Sequence, residues 1–380
     1  MKKGMIIGVL LSLMVISGCW DKIEIEDRLF VYAIAIDEIK QDAHTQIEKP
    51  FYEFQNQNLE VIFIAPNPSK IVSGAPKGFE EIKIKAQNLP EAIGMVSKKQ
   101  NRKLFFGHTK LIIIGENLLK DKDKLSDFLD WLDREPLKNR SSFIVATKDI
   151  ENIPEVTPKL EKLVAPYIIG IIENQSRVAT MINVSLSEFI SDIKISGASM
   201  LPIVEKQSDE ITIKDVALLK DGKMFGTISD RYLRGYSIIT NKLKTGRKLF
   251  KYKDKILSYH LTSSACDLNL KEKDDKLQYN VKIELEGDIE EFLFNEDLLK
   301  PDVIKELKKS IEEQVELEMK EVVRFFQQDI GYDYLELKDW TKKHKYKLYK
   351  KYEKDWDRAF KNAEFEFEIE TFIRRIGVVR

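Results

Sequence analysis

Hydrophobic positions change their spacing along the chain, between strand-like runs and helical periodicity, and this pattern predicts a mixed α+β protein. Residues 29–37 form an apolar, β-branched run, which indicates a central strand that is apolar on both faces. Between residues 88 and 147, two short apolar segments at 111–115 and 142–147 flank a helical pattern at 116–132. This alternation of strand, helix and strand predicts a crossover unit with at least partly parallel pairing.

The middle of the chain carries short strand patterns and few helix signals. Segments at 211–213, 215–219 and 223–227 have strand character, and the dipeptide Asp221-Gly222 between the last two is a strong hairpin-turn signal. A further strand at 237–240 would continue the same sheet. We therefore expect a separate, β-rich middle domain.

In the last third of the chain, apolar and polar residues alternate at 277–285 and again at 364–370. Between these two patterns an amphipathic helix begins at Pro301 and reaches about Gln328. We expect an antiparallel sheet with this long helix on one face. The predicted fold is α+β, with three consecutive mixed α/β domains at residues 19–200, 201–262 and 263–380.

The first residues form a segment distinct from these domains. Two lysines precede an apolar run at 5–16, and small residues follow just before Cys19. This order predicts a secretory signal peptide at 1–18, too short for a permanent membrane span. The tetrapeptide Ile16-Ser17-Gly18-Cys19 resembles the lipobox of bacterial lipoproteins, in which the cysteine thiol is alkylated by a diacylglyceryl group and becomes the acylated N-terminus. The alternative is a plain secretory signal with an incidental cysteine.

Composition narrows the function classes. The chain after residue 18 has 60 basic and 63 acidic residues, so whole-protein steering toward nucleic acid or an anionic surface is not expected. No apolar run after residue 18 is long enough to cross a bilayer, which predicts a body tethered only by lipid. Cys266 is the one other cysteine, and we expect it to be a buried small hydrophobe.

Motifs that carry chemistry are missing from the sequence. The four histidines do not stand at metal-ligand spacing with another histidine or a cysteine. There is no phosphate-binding loop, dinucleotide fingerprint or nucleophile elbow, and the paired glutamates lie in heavily charged surroundings typical of solvated faces. The sequence therefore makes no positive case for an enzyme, a cofactor or a metal, and an exported hydrolase is the weakest alternative.

One segment has the composition of a binding surface, because lysines and aromatic residues are interleaved at 338–356. Such residues suit nucleic acid or anionic headgroups, and export excludes nucleic acid. The alternative is a helix whose aromatic rings pack on the third domain while its lysines face water. The candidate residues for a partner or membrane surface are Trp340, Lys343, Lys347, Tyr349, Lys351 and Trp356.

Four stretches together resemble a known family. They are Gly18-Cys19-Trp20-Asp21 with the strand ending at Ala35-Ile36-Asp37, the segment from Asn101 to Gly115 with Arg134-Glu135-Pro136, Ala217 to Lys220 with Lys223 and Gly226, and Asp329-Ile330 with Trp340, Trp356 and Ile373-Arg374-Arg375-Ile376-Gly377. In this order and spacing they resemble the Ger(x)C family, the lipoprotein C subunit of spore germinant receptors. Members often have glycine where Ala35 stands and threonine where Ile376 stands.

The resemblance implies a location and partners that the residue patterns alone do not supply. It implies a lipoprotein on the outer face of the cell membrane, the inner spore membrane, of a spore-forming Gram-positive bacterium. It implies assembly with the integral membrane A and B subunits of a nutrient germinant receptor, without catalysis. Direct nutrient binding by this subunit stays open, and the alternative function is a solute-binding lipoprotein that delivers a small ligand to a membrane transporter.

Overall fold

The computed structural model describes residues 24–39, 58–135, 139–177, 181–243, 245–291 and 300–376. Within these ranges strands and helices alternate, which confirms the predicted α+β class. The strands are β1 (Arg28–Phe30), β2 (Ala33–Glu38), β3 (Leu59–Pro66), β4 (Phe79–Ala86), β5 (Lys103–Phe105), β6 (Leu111–Gly115), β7 (Phe143–Thr147), β8 (Ser199–Gln207), β9 (Glu210–Lys220), β10 (Lys223–Ser229), β11 (Gly246–Tyr252), β12 (Lys255–Lys273), β13 (Lys276–Glu291) and β14 (Glu364–Ile376). The α-helices are α1 (Pro68–Val72), α2 (Leu89–Lys99), α3 (Glu116–Lys120), α4 (Lys122–Arg134), α5 (Val164–Arg177), α6 (Leu186–Ser196), α7 (Leu233–Ile239), α8 (Pro301–Arg324), α9 (Leu337–His344), α10 (Tyr346–Tyr352) and α11 (Trp356–Lys361).

The larger sheet has eight strands in the order β10-β9-β8-β7-β6-β2-β3-β4. Its central strands β2, β6 and β7 are parallel, whereas β3 and β4 on one side and β9 and β10 on the other add antiparallel pairs. The predicted crossover unit with partly parallel pairing is confirmed. A short parallel pair, β1 with β5, forms a separate two-stranded sheet.

Both faces of the central strands are buried, as the apolar run at 29–37 predicts for its second part, β2; the first part of the run differs from the prediction, because it lies in β1 of the separate two-stranded sheet. Along β2, Ala33 and Ala35 belong to one hydrophobic core, and Ile34 and Ile36 belong to the other. Residues of α2, α3, α4 and α6 complete the second core. Residues of α5 cover the first face, and that core continues into the C-terminal part of the chain.

The smaller sheet has the order β11-β12-β13-β14, and α8 contributes a buried stripe to its core. Strands β11, β12 and β13 are antiparallel, but β14 pairs parallel to β13. The prediction of an entirely antiparallel sheet is therefore wrong at this pair. The segment between β13 and β14, which includes α8, is long enough for the crossover that a parallel pair requires. The residues of the buried stripe on α8 are Leu307, Ile311, Val315, Met319, Val322 and Val323.

The middle section differs from the sequence prediction in one element and in its pairing. The predicted strand at 237–240 is instead the end of helix α7 and its C-cap, Thr240, and the helix residues Tyr236, Ile238 and Ile239 are buried in the first core. The hairpin at Asp221-Gly222 is confirmed, with φ of 54° and 79° at its two residues. Strands β8, β9 and β10 join the eight-stranded sheet, whereas β11 and β12 join the smaller sheet. The division into three domains at residues 200 and 262 remains a prediction.

The end of strand β2 is fixed to helix α3 by the buried carboxylate of Asp37. Its Oδ1 accepts hydrogen bonds from the backbone N–H of Leu118 and of Glu38, both at 2.8 Å, and Oδ2 accepts from Asn117 Nδ2 at 2.9 Å. Burial raises the pKa of Asp37, and these hydrogen bonds oppose the shift. Gly115 lies against this carboxylate so closely that an added methyl group would overlap it.

Replacing Asp37 tests this junction. Asp37→Ala leaves the buried Leu118 N–H without an acceptor, so we expect the free energy of unfolding to fall by about 2 kcal/mol. Asp37→Asn keeps an oxygen acceptor, so its free energy of unfolding should fall by less than that of Asp37→Ala. Urea unfolding followed by circular dichroism measures both, and an Ala variant within about 0.5 kcal/mol of the parent would contradict the assigned role.

Candidate functional site

The six residues of the predicted binding surface are placed in three different environments. Trp356 is only 4% exposed, and its Nε1 donates to Asp333 Oδ2 at 3.0 Å. It is a core residue, and its place in an exposed surface is a wrong prediction. The apolar face of α11 must be buried against the smaller sheet, and the indole is the largest side chain on that face.

The other residues of the predicted binding surface are either packed against neighbouring side chains or exposed. Trp340 is half-buried, with its ring 6.4 Å from the ring of Tyr279 and stacked at 4.6 Å on the imidazole of His344. Tyr349 is also half-buried, and Lys351 pairs with Glu272 at 2.5 Å and Asp275 at 3.1 Å.

The lysines Lys343 and Lys347 are exposed on α9 and α10. The contacts of the tryptophans agree with the alternative of packed aromatic rings beside solvated lysines. A binding role for Lys343 and Lys347 stays a prediction.

A cleft of about 640 Å³ lies beside these helices. One wall is formed by α6, the start of β8 and the segment at 181–184, and the other by α7, the turn after it and the segment at 332–339. This volume is within the range of pockets that bind small molecules. The walls combine residues 181–200 and 236–242 with the distant residues 332–339, so the cleft is a product of the tertiary fold.

On the first wall, the side chain of Asp192 is open to the cleft. Among the described residues, Ser199 is its hydrogen-bond donor, with Oγ 3.1 Å from Asp192 Oδ2. The surrounding protein raises the pKa of Asp192 to about 6 because it removes part of the carboxylate's water. The same cleft is also lined by four apolar residues that are at most 8% exposed, namely Met181, Ile182, Ala198 and Met200.

The second wall holds a connected group of Tyr236, Lys242 and Glu336. Lys242 Nζ donates to Tyr236 Oη at 2.8 Å and to Glu336 Oε1 at 2.5 Å. Burial raises the pKa of Tyr236 to about 12. Burial lowers the pKa of Lys242, but its interactions with Tyr236 and Glu336 raise that pKa by more, so it lies above the ordinary value. Tyr236 therefore stays protonated and Lys242 stays charged at neutral pH.

Asp333 joins this wall to the buried Trp356. Besides the indole, Asp333 accepts from the backbone N–H of Leu337 at 3.2 Å and of Lys338 at 2.7 Å. Burial raises the pKa of Asp333 to about 6, against the effect of these hydrogen bonds. Asp333 thus fixes the first turn of α9 beside the cleft.

Sequence reasoning did not find these cleft residues, because each stands in an ordinary local context. Asp192 is one of two acids on an amphipathic helix, and Lys242 and Glu336 are 94 positions apart. Cys266 is buried, 5% exposed, as predicted, and burial raises its thiol pKa to about 12. Cys19 and the signal peptide at 1–18 lie outside the described residues.

The described part of the chain has neither a cluster of three or more side chains suited to a metal ion nor a helix that is both long and apolar enough to span a membrane.

The eight-stranded and four-stranded sheets, their shared core and the cleft beside it define a mixed α+β protein. Residues 21–206 match the family model of the spore germination protein N-terminal domain, and residues 214–377 match that of the spore germination B3/GerAC-like C-terminal domain. The chain belongs to the Ger(x)C family of spore germination proteins.

Known relatives extend along nearly the whole chain. It is 23% identical to spore germination protein KC of Bacillus subtilis (strain 168), covering 97% of this chain and 95% of that protein. It is 22% identical to spore germination protein GerQC of Bacillus cereus, covering 76% and 80% of the two chains. The crystal structure of the GerBC protein has a TM-score of 0.60 with 16% identity, covering 83% of this chain and 92% of that one, and it shows the same fold.

Removing the Asp333 carboxylate tests its role beside the cleft. Asp333→Ala leaves the indole N–H of Trp356 and the first N–H groups of α9 without their acceptor, so we expect the free energy of unfolding to fall by about 2 kcal/mol. Asp339→Ala, an exposed acid in the first turn of the same helix, is the matched control and should change it by under about 0.5 kcal/mol. Chemical unfolding followed by tryptophan fluorescence measures both, and equal values would show that Asp333 does not hold this turn.

Proposed function

We propose that the chain is the lipid-anchored C subunit of a nutrient germinant receptor, without catalytic activity. It assembles with the two integral membrane subunits of the receptor at the inner spore membrane and contributes to triggering germination. The observation that carries this proposal is the match of both family models, in order, to residues 21–206 and 214–377. The relatives are named as germination proteins rather than as enzymes, which supports a non-catalytic role.

The anchor is proposed from the lipobox-like sequence that ends at Cys19. Two acyl chains would hold the protein firmly, because each buried methylene contributes about 0.8 kcal/mol and a single chain gives only marginal binding. Cys19 lies two positions before the first residue of the N-terminal family match, so the whole matched region would remain on the mature protein.

A solute-binding lipoprotein that delivers a small ligand to a transporter is the second candidate function. The cleft favours it, since a volume of about 640 Å³ with polar and apolar walls is typical of small-molecule sites. The two candidates differ in their cellular effect. Loss of a receptor subunit abolishes germination by one class of nutrient, whereas loss of a delivery protein reduces uptake without a selective germination defect.

Substituting the two cysteines separates anchoring from folding. Spores carrying Cys19→Ala should lose the protein from their membrane fraction and should germinate more slowly with one class of nutrient, as spores lacking the whole chain would. Cys266→Ala removes the buried thiol instead and should leave both properties unchanged. Membrane fractionation and loss of refractility measure the outcome, and normal germination with a fully soluble Cys19→Ala protein would refute the need for an anchor.

Charge reversal tests the exposed lysines as a partner surface. The double variant Lys343→Glu, Lys347→Glu should weaken co-purification with the membrane subunits by about tenfold, since like charges then face the partner's acidic groups. Lys305→Glu with Lys309→Glu, on the exposed side of α8, carries the same change in charge as a control. Equal co-purification of the two double variants would remove Lys343 and Lys347 from the proposed interface.

A further inference from the structure

The cleft lies between the two regions that match separate family models. Asp192, Ser199 and Met200 belong to the N-terminal match, whereas Tyr236, Lys242 and Glu336 belong to the C-terminal match. Sites for small molecules occur preferentially at such junctions, because a ligand there contacts two units at once. Occupancy of the cleft would therefore couple the two halves of the chain.

The charged side chains of the cleft differ in how far ion pairs and hydrogen bonds compensate them. Lys242 is compensated by Glu336, which is its ion-pair partner at 2.5 Å. Glu188 is engaged at the start of α6, where its carboxylate accepts from the backbone N–H of Ser185 at 2.8 Å. Asp192 differs from both, since in the described part of the chain it has one hydrogen bond from a neutral hydroxyl and no ion pair.

The surroundings of Asp192 indicate which kind of ligand would supply the missing partner of its carboxylate. A carboxylate that faces the cleft without an ion-pair partner is stabilised by a cation that donates hydrogen bonds, and a primary ammonium group supplies three donors. Met181, Ile182 and Met200 line the same wall and are 2%, 8% and 6% exposed, so the edges that reach the cleft can contact a short hydrocarbon chain. Tyr236 and Lys242 close the opposite side with groups that keep their protons at neutral pH.

We propose that this cleft binds a small primary amine, with its ammonium group on the carboxylate of Asp192 and its short apolar part against Met181, Ile182 and Met200. This ligand site deepens the proposed receptor function and rests on that function for its biological use. Its physical test is independent of germination.

Binding of butylammonium to the full chain, purified in detergent, tests the site. Butan-1-ol is the uncharged counterpart of equal length, and Asp192→Asn removes the charge while it keeps the shape of the side chain. Asp209→Asn, at the exposed turn between β8 and β9, carries the same loss of charge away from the cleft. Because all variants share one detergent, partition of the probe into micelles cancels in the comparison.

We expect butylammonium to bind at least about tenfold more tightly than butan-1-ol, since a charge-assisted hydrogen bond is lost with the alcohol. Asp192→Asn should lower the affinity for butylammonium by about the same factor, and Asp209→Asn should leave this affinity unchanged. Ligand-observed NMR titration measures the affinities. Equal affinity for the amine and the alcohol, no detectable amine binding, or amine binding unaffected by Asp192→Asn would each overturn the proposal.

The pH dependence gives a second readout. Asp192 is faced by Lys242 from the turn after α7, by Glu336 before α9, by Ser199 on β8 and by Glu188 on its own helix. With a pKa of about 6, its carboxylate is ionised above that pH and neutral below it, so amine affinity should fall by about tenfold from pH 7.5 to pH 5.

Asp192→Asn should abolish this dependence. Asp333 also lines the cleft with a pKa of about 6, and an unchanged pH profile in Asp192→Asn would assign the titration to Asp333 and overturn the role of Asp192.

Germination of spores that lack the chain distinguishes the proposed receptor role from the proposed ligand site. If spores lacking the chain fail to germinate with one class of nutrient while the purified protein binds no amine, the receptor role is supported and the ligand site is refuted. If the amine binds through Asp192 and spores lacking the chain germinate normally with every nutrient, the site stands and the receptor role falls.

Discussion

Burial of both faces of the three parallel strands β2, β6 and β7 is the constraint on which the rest of the structure depends. Alternate residues of each strand belong to different cores, so neither face can be left to solvent. Helices α2, α4 and α6 contribute to one core. The other face needs a cover of equal extent, which α5 supplies only in part.

The C-terminal part of the chain supplies the remainder of that cover. Its sheet, together with α7 and α8, shares one continuous hydrophobic core with the first face of the large sheet. The two regions matched by separate family models are thus joined through apolar burial rather than through a few surface contacts. The cleft lies beside this junction, where side chains of the two regions face each other without filling the space between them.

Polar groups at the cleft are held by different means on its two sides. Tyr236, Lys242 and Glu336 form a connected group in which each charge or hydroxyl has a partner. Asp333 is fixed by three hydrogen bonds and links the cleft to the buried indole of Trp356. Within the described residues Asp192 has one neutral donor and no ion pair, and this difference supports its proposed role as the point where a cationic ligand binds.

The sequence by itself determined the α+β class, the parallel crossover unit, the hairpin at Asp221-Gly222 and the family, because local patterns and short motifs carry those properties. It placed a strand at 237–240 where α7 lies, since a short apolar run has no period that separates a strand from a buried helix. Only the tertiary structure decided that β14 pairs parallel to β13, that Trp356 is buried, and that Asp192 faces Lys242 and Glu336 across a cleft. Each of these depends on residues far apart in the chain, whose proximity is set by packing against a shared core rather than by local preference.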